Sequence, residues 1–153
     1  MEIVPGTLRI FVSSCFVCIF LVACDQKPSV SASSTGLMPK REYDPNVLEA
    51  GKKIFTENCA QCHGANAQGA DNWHQRNPDG TFPPPPLNGT GHAWHHSKAV
   101  LTDMIKNGSR PGEGNMPAWK DKLSDEEIDM VIQWFQSHWP DPLYAAWYEQ
   151  HQR

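Results

Sequence analysis

Two cysteines and a histidine lie within five consecutive residues, Cys59-Ala60-Gln61-Cys62-His63. Thiols can form a disulfide, bind a metal ion or act as nucleophiles, and imidazole is the commonest metal ligand in proteins. A redox pair of the thioredoxin type would need strands in a βαβ pattern, which this sequence does not show. A zinc site would need two further ligands. The position of His63 directly after the second cysteine favours a third kind of chemistry.

The order C-x-x-C-H is the attachment sequence of haem c. Two thiols add across the two vinyl groups of the haem, and their spacing at the end of a helix matches the distance between those groups. The same helix end places His63 against the iron. The sequence therefore predicts one haem c, covalently attached through Cys59 and Cys62. A second C-x-x-C pair, Cys15 and Cys18, lies in an N-terminal segment that we expect to be removed.

That N-terminal segment has the features of an export signal. Residues 10–23 are almost entirely apolar and follow the basic Arg9, as in the hydrophobic core of a signal peptide. The segment is shorter than the roughly 20 residues that cross a bilayer as a helix, although an uncleaved anchor is an alternative. Its end, Leu21-Val22-Ala23-Cys24, resembles the lipobox of bacterial lipoproteins, in which the cysteine is diacylated after cleavage.

This resemblance predicts lipidation at Cys24 and a protein held on a membrane by several acyl chains. The alternative is that Cys24 merely ends an ordinary apolar segment. By resemblance to enterobacterial sorting, Asp25 indicates retention on the outer face of the bacterial cytoplasmic membrane, on the periplasmic side. The predicted organisation is a signal peptide (1–23), the lipidated cysteine with a flexible Ser- and Pro-rich tether (24–43), a folded domain (44–140) and an aromatic tail (141–153).

Length and charge exclude other classes of protein. A chain of 153 residues is about one domain long, so a multidomain enzyme is excluded. The net charge is −4 and no basic run is present, which makes nucleic acid an unsuitable partner. Three segments carry helical periodicity and none alternates convincingly like a strand, so the fold class is all-α.

The three helices have recognisable ends. The first begins at Asp44-Pro45 and continues to the Cys59 region, the second runs from Ser97 to about Asn107, and the third begins at Ser124 and ends before Pro140. In the second we expect Val100, Leu101, Met104 and Ile105 to form one core face. Gly51 lies inside the first helix, where glycine is costly, so we expect a neighbour to approach it closely. The long loops from Gly64 to His96 and from Gly108 to Leu123 need something to pack against.

From about Tyr43 to Trp139 the sequence resembles the small class I monohaem cytochromes c. The segment Asn115-Met116-Pro117 looks like the distal loop of that family, and the resemblance implies Met116 as the second axial ligand, ahead of Met38, Met104 and Met130. Pro85-Pro86-Leu87-Asn88-Gly89 resembles the segment whose proline carbonyl accepts a hydrogen bond from the axial histidine. Pro85 is the expected acceptor, with Pro86 as the alternative, and Leu87 is expected to lie on the haem face. The resemblance also implies a crossing of the first and last helices that involves the three residues Gly51, Phe55 and Trp134.

Three features depart from the simplest pattern of the family. An enlarged loop with Trp73, His74 and Phe82 lies before the proline segment and either shields a haem edge or forms a partner surface. His92, His95 and His96 could form a second metal site, since imidazole suits copper, zinc or iron. The tail residues, which we expect to pack back on the domain rather than touch a membrane or partner, are Leu143, Tyr144, Trp147 and Tyr148.

The resemblance implies a membrane-anchored one-electron carrier, not an enzyme, that passes electrons between redox proteins in transient contacts. Two alternatives remain open at this point. One is a haem enzyme or gas sensor with a labile distal ligand. The other is a relay protein that combines haem with copper at the histidine-rich segment.

Overall fold

The computed structural model describes residues 41–151. The predictions for the signal peptide, for Cys24 and for most of the tether lie outside the described residues. Within that range the regular structure is helical, apart from one isolated parallel bridge between Phe82 and Gly114, which confirms the all-α class. In chain order the helices are α1 (Pro45–Asn58), α2 (Ala60–His63), a short 3-10 helix (Ala93–His95), α3 (Lys98–Asn107), α4 (Asp125–Gln136) and α5 (Asp141–His151).

The three predicted helices begin at the predicted caps. The Asp44 carboxylate accepts a 2.8 Å hydrogen bond from the Asn46 amide at the start of α1. Ser124 and Glu127 form a reciprocal capping box at the start of α4, with bonds of 2.8 and 3.2 Å. Side-chain oxygens at these positions satisfy amides that have no partner inside the helix. None of the helices between residues 41 and 151 is long and apolar enough to cross a bilayer.

Helices α1 and α4 cross in close contact at Gly51. An added β-carbon there would lie 2.2 Å from the carbonyl oxygen of Met130, in α4. One turn later the buried rings of Phe55 and Trp134 pack with their centroids 4.4 Å apart. The expected close approach at Gly51 is therefore confirmed, and the absence of a side chain is what brings the two aromatic rings together.

The prediction that four side chains of α3 form one core face is confirmed for only two of them. Leu101 and Ile105 are buried, but Val100 is 47% exposed and Met104 is 39% exposed. Residues four apart lie on the same side of a helix, whereas adjacent residues are about 100° apart. The protein core therefore covers the stripe of Leu101 and Ile105, and the stripe of Val100 and Met104 faces away from it.

The C-terminal tail forms a helix, α5, that sequence analysis did not predict. Its side chain Trp147 is 3% exposed, and the indole N–H donates a 2.8 Å hydrogen bond to the carbonyl oxygen of His96. The Trp147 ring also packs at 5.8 Å from the ring of Trp139. The tail thus packs back on the domain, as expected, although Tyr148 remains partly exposed.

Candidate functional site

The C-x-x-C-H motif forms one helical turn, α2, directly after α1. The amides of Cys62 and His63 both donate to the Cys59 carbonyl oxygen, at 3.1 and 2.9 Å. Gly64, at φ = 77°, ends the turn in a conformation that favours glycine. Cys59 is partly buried and Cys62 is exposed, and both are free thiols. One short element therefore presents both thiols and the imidazole, as the sequence predicts.

The environment of the thiols argues against the two rival chemistries. Burial, together with the neighbouring Cys62, raises the pKa of the Cys59 thiol to about 11, whereas redox-active pairs have a lowered pKa. No sheet accompanies the pair in the described range. The same range contains no group of three His, Cys, Asp or Glu side chains that could hold a metal ion, so a zinc site lacks its further ligands.

The imidazole of His63 is held by the proline segment. Its Nδ1 atom lies 2.9 Å from the carbonyl oxygen of Pro85, and a carbonyl can only accept, so Nδ1 carries the proton and the Nε2 lone pair is available to a metal. Burial lowers the pKa of His63, against the hydrogen bond to Pro85, which raises it. The side chain is 8% exposed, and the lowered pKa favours the neutral ring, the form that binds metal.

The backbone around Pro85 leaves little freedom for that carbonyl. A β-carbon on Gly69 would lie 2.5 Å from the carbonyl carbon of Pro85. The Leu87 amide donates to Ala67 at 2.8 Å, and the Leu87 carbonyl accepts a 2.7 Å bond from the Trp139 indole. Pro85, rather than the alternative Pro86, therefore faces His63. Leu87 is partly buried and packs against the core.

The second predicted ligand, Met116, is half-buried in the loop between α3 and α4. Ser109 fixes its backbone from both sides, because the Ser109 amide donates to the Met116 carbonyl at 3.0 Å and the Met116 amide donates to the Ser109 hydroxyl at 3.2 Å. Gly108 packs closely against the same carbonyl, because a β-carbon added to Gly108 would lie 2.5 Å from its oxygen. Of the alternatives, Met104 and Met130 belong to helices, and Met38 lies outside the described residues.

The three histidines of the 92–96 segment do not form the metal site suggested by their spacing. His95 stacks on Trp94 with a centroid distance of 3.6 Å, while the ring of His92 lies 5.6 Å from that of His96. His92 also stacks on Trp73 at 5.3 Å. Within residues 41–151, no group of three His, Cys, Asp or Glu side chains that could hold a metal ion includes them.

Sequence analysis missed the contacts between the enlarged loop (residues 64–84) and the methionine loop (residues 108–123). The Thr81 hydroxyl accepts a 3.3 Å hydrogen bond from the side chain of Asn115, the residue before Met116. The Phe82 amide donates to the Glu113 carbonyl at 3.0 Å. The only local signal for this arrangement is Asp79-Gly80-Thr81, a typical turn sequence.

Comparison with known proteins identifies the family. The family model described as "Cytochrome C oxidase, cbb3-type, subunit III" matches residues 46–135, more than half of the chain. The chain belongs to this family. It is therefore a c-type cytochrome of class I, and membership implies covalently bound haem c.

The relatives of this cytochrome include proteins of different length. It is 38% identical over 89 residues to the cbb3-type cytochrome c oxidase subunit CcoP of Azospirillum brasilense, a match that covers 58% of this chain and 28% of that one. It is 35% identical over 85 residues to cytochrome c6 of Bryopsis maxima, covering 56% of this chain and 84% of that one. The cytochrome thus spans most of the length of cytochrome c6 but under a third of the length of CcoP.

Two further similarities extend the comparison. The cytochrome is 31% identical over 129 residues to the thiosulfate dehydrogenase of Psychrobacter arcticus, which covers 79% of this chain and 35% of that one. Among solved structures, cytochrome CL from Methylophaga aminisulfidivorans is 22% identical, with a TM-score of 0.47, and the match covers 63% of this chain and 55% of that one.

Proposed function

We propose that this cytochrome is a one-electron carrier with one haem c attached through Cys59 and Cys62 and ligated by His63 and Met116. The observation that carries the proposal is the 2.9 Å hydrogen bond between His63 and Pro85. It fixes the orientation and tautomer of the imidazole and strengthens Nε2 as a ligand. When bound, haem supplies an iron that alternates between Fe(II) and Fe(III).

The residues around the site suit that role. A thioether is soft and neutral and favours ferrous iron, so Met116 would raise the reduction potential. Val100 and Met104 remain exposed on α3, whose last turn is bonded to Gly108 at the start of the methionine loop. The exposed apolar side chains of Val100 and Met104 could therefore pack against a flat apolar group such as a porphyrin.

The residues before the folded domain support a membrane location. Under this proposal the lipobox Leu21-Val22-Ala23-Cys24 anchors the cytochrome on the periplasmic face of the cytoplasmic membrane, with the tether allowing it to reorient toward its partners. Since one relative is a subunit of a cbb3-type oxidase, an oxidase of that type is the first electron acceptor to test. Replacing Cys24 with alanine should move the cytochrome from the membrane to the soluble fraction. If the unaltered protein is cleaved but not lipidated, it will already be in the soluble fraction, which would contradict the anchor.

A redox titration of the haem-loaded domain tests the electron-carrier function. We expect one reversible one-electron step, and Met116→His should lower its midpoint by on the order of 0.1 V or more, because imidazole stabilises ferric iron better than a thioether does. Met130→Leu, a methionine change in α4, is the matched control and should leave the midpoint nearly unchanged. An unchanged midpoint in Met116→His would show that Met116 is not a ligand.

A second candidate function is thiosulfate oxidation, which is favoured by the 79% of this chain that matches a thiosulfate dehydrogenase. An enzyme would need a distal ligand that leaves or a site for substrate at the haem. Adding thiosulfate to the oxidised cytochrome separates the two functions. A carrier is not reduced by thiosulfate alone, whereas a dehydrogenase is reduced at once.

A further inference from the structure

The enlarged loop touches the methionine loop at three points. The side chain of Asn115 donates to the Thr81 hydroxyl at 3.3 Å, and the amide of Phe82 donates to the carbonyl of Glu113 at 3.0 Å. The guanidinium of Arg76 donates to the carbonyl of Gly112 at 3.1 Å. These bonds join residues more than 30 positions apart in the chain, so they hold two loops together rather than shaping one turn.

Among the residues that make these contacts, Thr81 is buried and its hydroxyl group forms several hydrogen bonds. It is 8% exposed, and its hydroxyl donates to the Asp79 carboxylate at 2.7 Å while accepting from the side-chain amides of Asn77 and Asn115, each at 3.3 Å. One hydroxyl can donate once and accept twice, so its hydrogen-bonding capacity is full. Hydrogen bonds from the Thr81 hydroxyl and amide lower the pKa of Asp79, which keeps the carboxylate ionised as an acceptor.

The other end of the enlarged loop is tied to the histidine side of the site. The Gly69 amide donates to the carbonyl of His63 at 2.8 Å, and the Ala70 amide donates to the carbonyl of Pro84 at 2.9 Å. Near its contact with the methionine loop, the guanidinium of Arg76 lies 4.2 Å from the centroid of the Phe82 ring and stiffens this part of the loop. The enlarged loop thus connects the segments that carry His63 and Met116.

We propose that Thr81 is a positioning residue. Its hydrogen bond with Asn115, which we call the latch, holds the enlarged loop against the methionine loop and so keeps the Met116 sulfur bonded to the iron. This inference rests on the proposed His63 and Met116 ligation. Trp119 and Leu123 bury the end of the methionine loop, whereas residues 110–113 and 115, just before Met116, are exposed. Exposed loop segments of this kind open locally at low cost. The Thr81–Asn115 bond closes the methionine loop one residue before the ligand.

The test compares Thr81→Val with Thr81→Ser in the haem-loaded protein. Valine keeps the shape and loses the hydroxyl with its three hydrogen bonds, of which only the bond from Asn115 reaches the methionine loop. The iron–sulfur bond should therefore open more often, and the ferrous protein should bind CO about fivefold faster, as expected for the loss of that one bond between the loops. The long-wavelength absorption band of a methionine–ferric iron bond should also disappear at a lower temperature. Serine restores the hydroxyl and should restore both readouts.

Thr90→Val is the matched control for a lost threonine hydroxyl. Thr90 bonds Asn88 through its amide and hydroxyl, at 3.2 and 2.7 Å, just as Thr81 bonds Asp79, but it follows the proline segment on the histidine side. It should behave like the unaltered protein. Should Thr81→Val fail to fold, Asn115→Ala, at an exposed side chain, removes the same bond from the other partner and should give the same acceleration.

The outcomes separate this inference from the proposed function. The latch alone would be overturned by two results together. The unaltered protein would show the methionine band and resist CO, and the rate of CO binding would be the same in Thr81→Val, Thr81→Ser and Thr90→Val. An unaltered protein that lacks the band and binds CO at once would overturn the ligation by Met116, and the latch with it. Acceleration in Thr81→Val and Asn115→Ala, with no further effect in the double variant, would establish the latch.

Discussion

Gly51 in α1 lies directly against the backbone of Met130 in α4, so that a β-carbon on the glycine would sit 2.2 Å from the Met130 carbonyl oxygen. This distance is far inside van der Waals contact. The two helices can therefore cross where they do only because position 51 has no side chain. The crossing buries Phe55 and Trp134 and fixes the end of α1, from which the Cys59 and Cys62 thiols follow.

Substitution of Gly51 by alanine should destabilise the protein despite the better helix propensity of alanine. The helices must separate to admit the methyl group, which we expect to lower the free energy of unfolding by about 2 kcal/mol or more. Denaturant unfolding with an unchanged slope would measure this loss. Lys53→Ala, at an exposed position of the same helix, is the control and should change stability little.

Substitution of Gly69 by alanine should disturb the hydrogen bond to His63. The added carbon would press on the carbonyl carbon of Pro85 at 2.5 Å, and Gly69 has φ = 67°, which alone costs alanine about 1–2 kcal/mol. A weaker Nδ1 hydrogen bond makes the imidazole a poorer donor to ferric iron, so the reduction potential should rise. Gly80→Ala shares the positive φ but has nothing within 4 Å, so it controls for the cost of φ and should leave the NMR signal of the His63 Nδ1 proton unshifted.

The indole of Trp139 links the region after α4 to the proline segment. Trp139→Phe leaves the Leu87 carbonyl without its 2.7 Å donor and opens space at a side chain that is 2% exposed. We expect a loss of about 2–4 kcal/mol in the free energy of unfolding. Trp94→Phe removes an indole bond to Gly91, three residues away, and should cost clearly less. Equal losses would mean that the link to Leu87 contributes nothing specific.

Acid should weaken the fold through His92. Burial, followed by the charges of His96 and His95, lowers the pKa of His92 below its ordinary value of about 6.5. The folded state therefore binds fewer protons than the unfolded state, so the contribution to stability is complete above about pH 6.5 and is lost as the pH falls through the folded pKa. NMR titration should give a midpoint below 6.5 that rises in His96→Gln. A midpoint at or above the ordinary value would contradict this.

Local chemistry explains what the sequence could predict. The Asp44, Ser97 and Ser124 caps act within three residues, and the C-x-x-C-H spacing acts within one turn, so these features are visible without a fold. Helix α5 also carries local signals, since Tyr144, Trp147 and Tyr148 follow the i, i+3, i+4 spacing of one helical face and Asp141-Pro142 repeats the Asp-Pro pair that begins α1. It was missed because the prolines at 140 and 142 were interpreted only as the end of the preceding helix.

Long-range contacts explain the remainder. The choice of Pro85 over Pro86 depends on how the Gly69 backbone packs against the proline segment, and four consecutive prolines offer no local means of choosing. The bond between Thr81 and Asn115 spans 34 positions. The exposure of Val100 and Met104 depends on how α3 is oriented against the core. No pattern in a short window specifies such contacts.

The most direct test of the central claim is the optical spectrum of the reduced, haem-loaded domain before and after addition of CO, repeated with Met116→Ala. With His63 and Met116 both bound to the iron, the unaltered domain should bind CO only slowly, so its spectrum just after the addition of CO should be unchanged. Met116→Ala should bind CO promptly. Prompt binding by the unaltered domain would mean an open iron and would contradict the electron-carrier account.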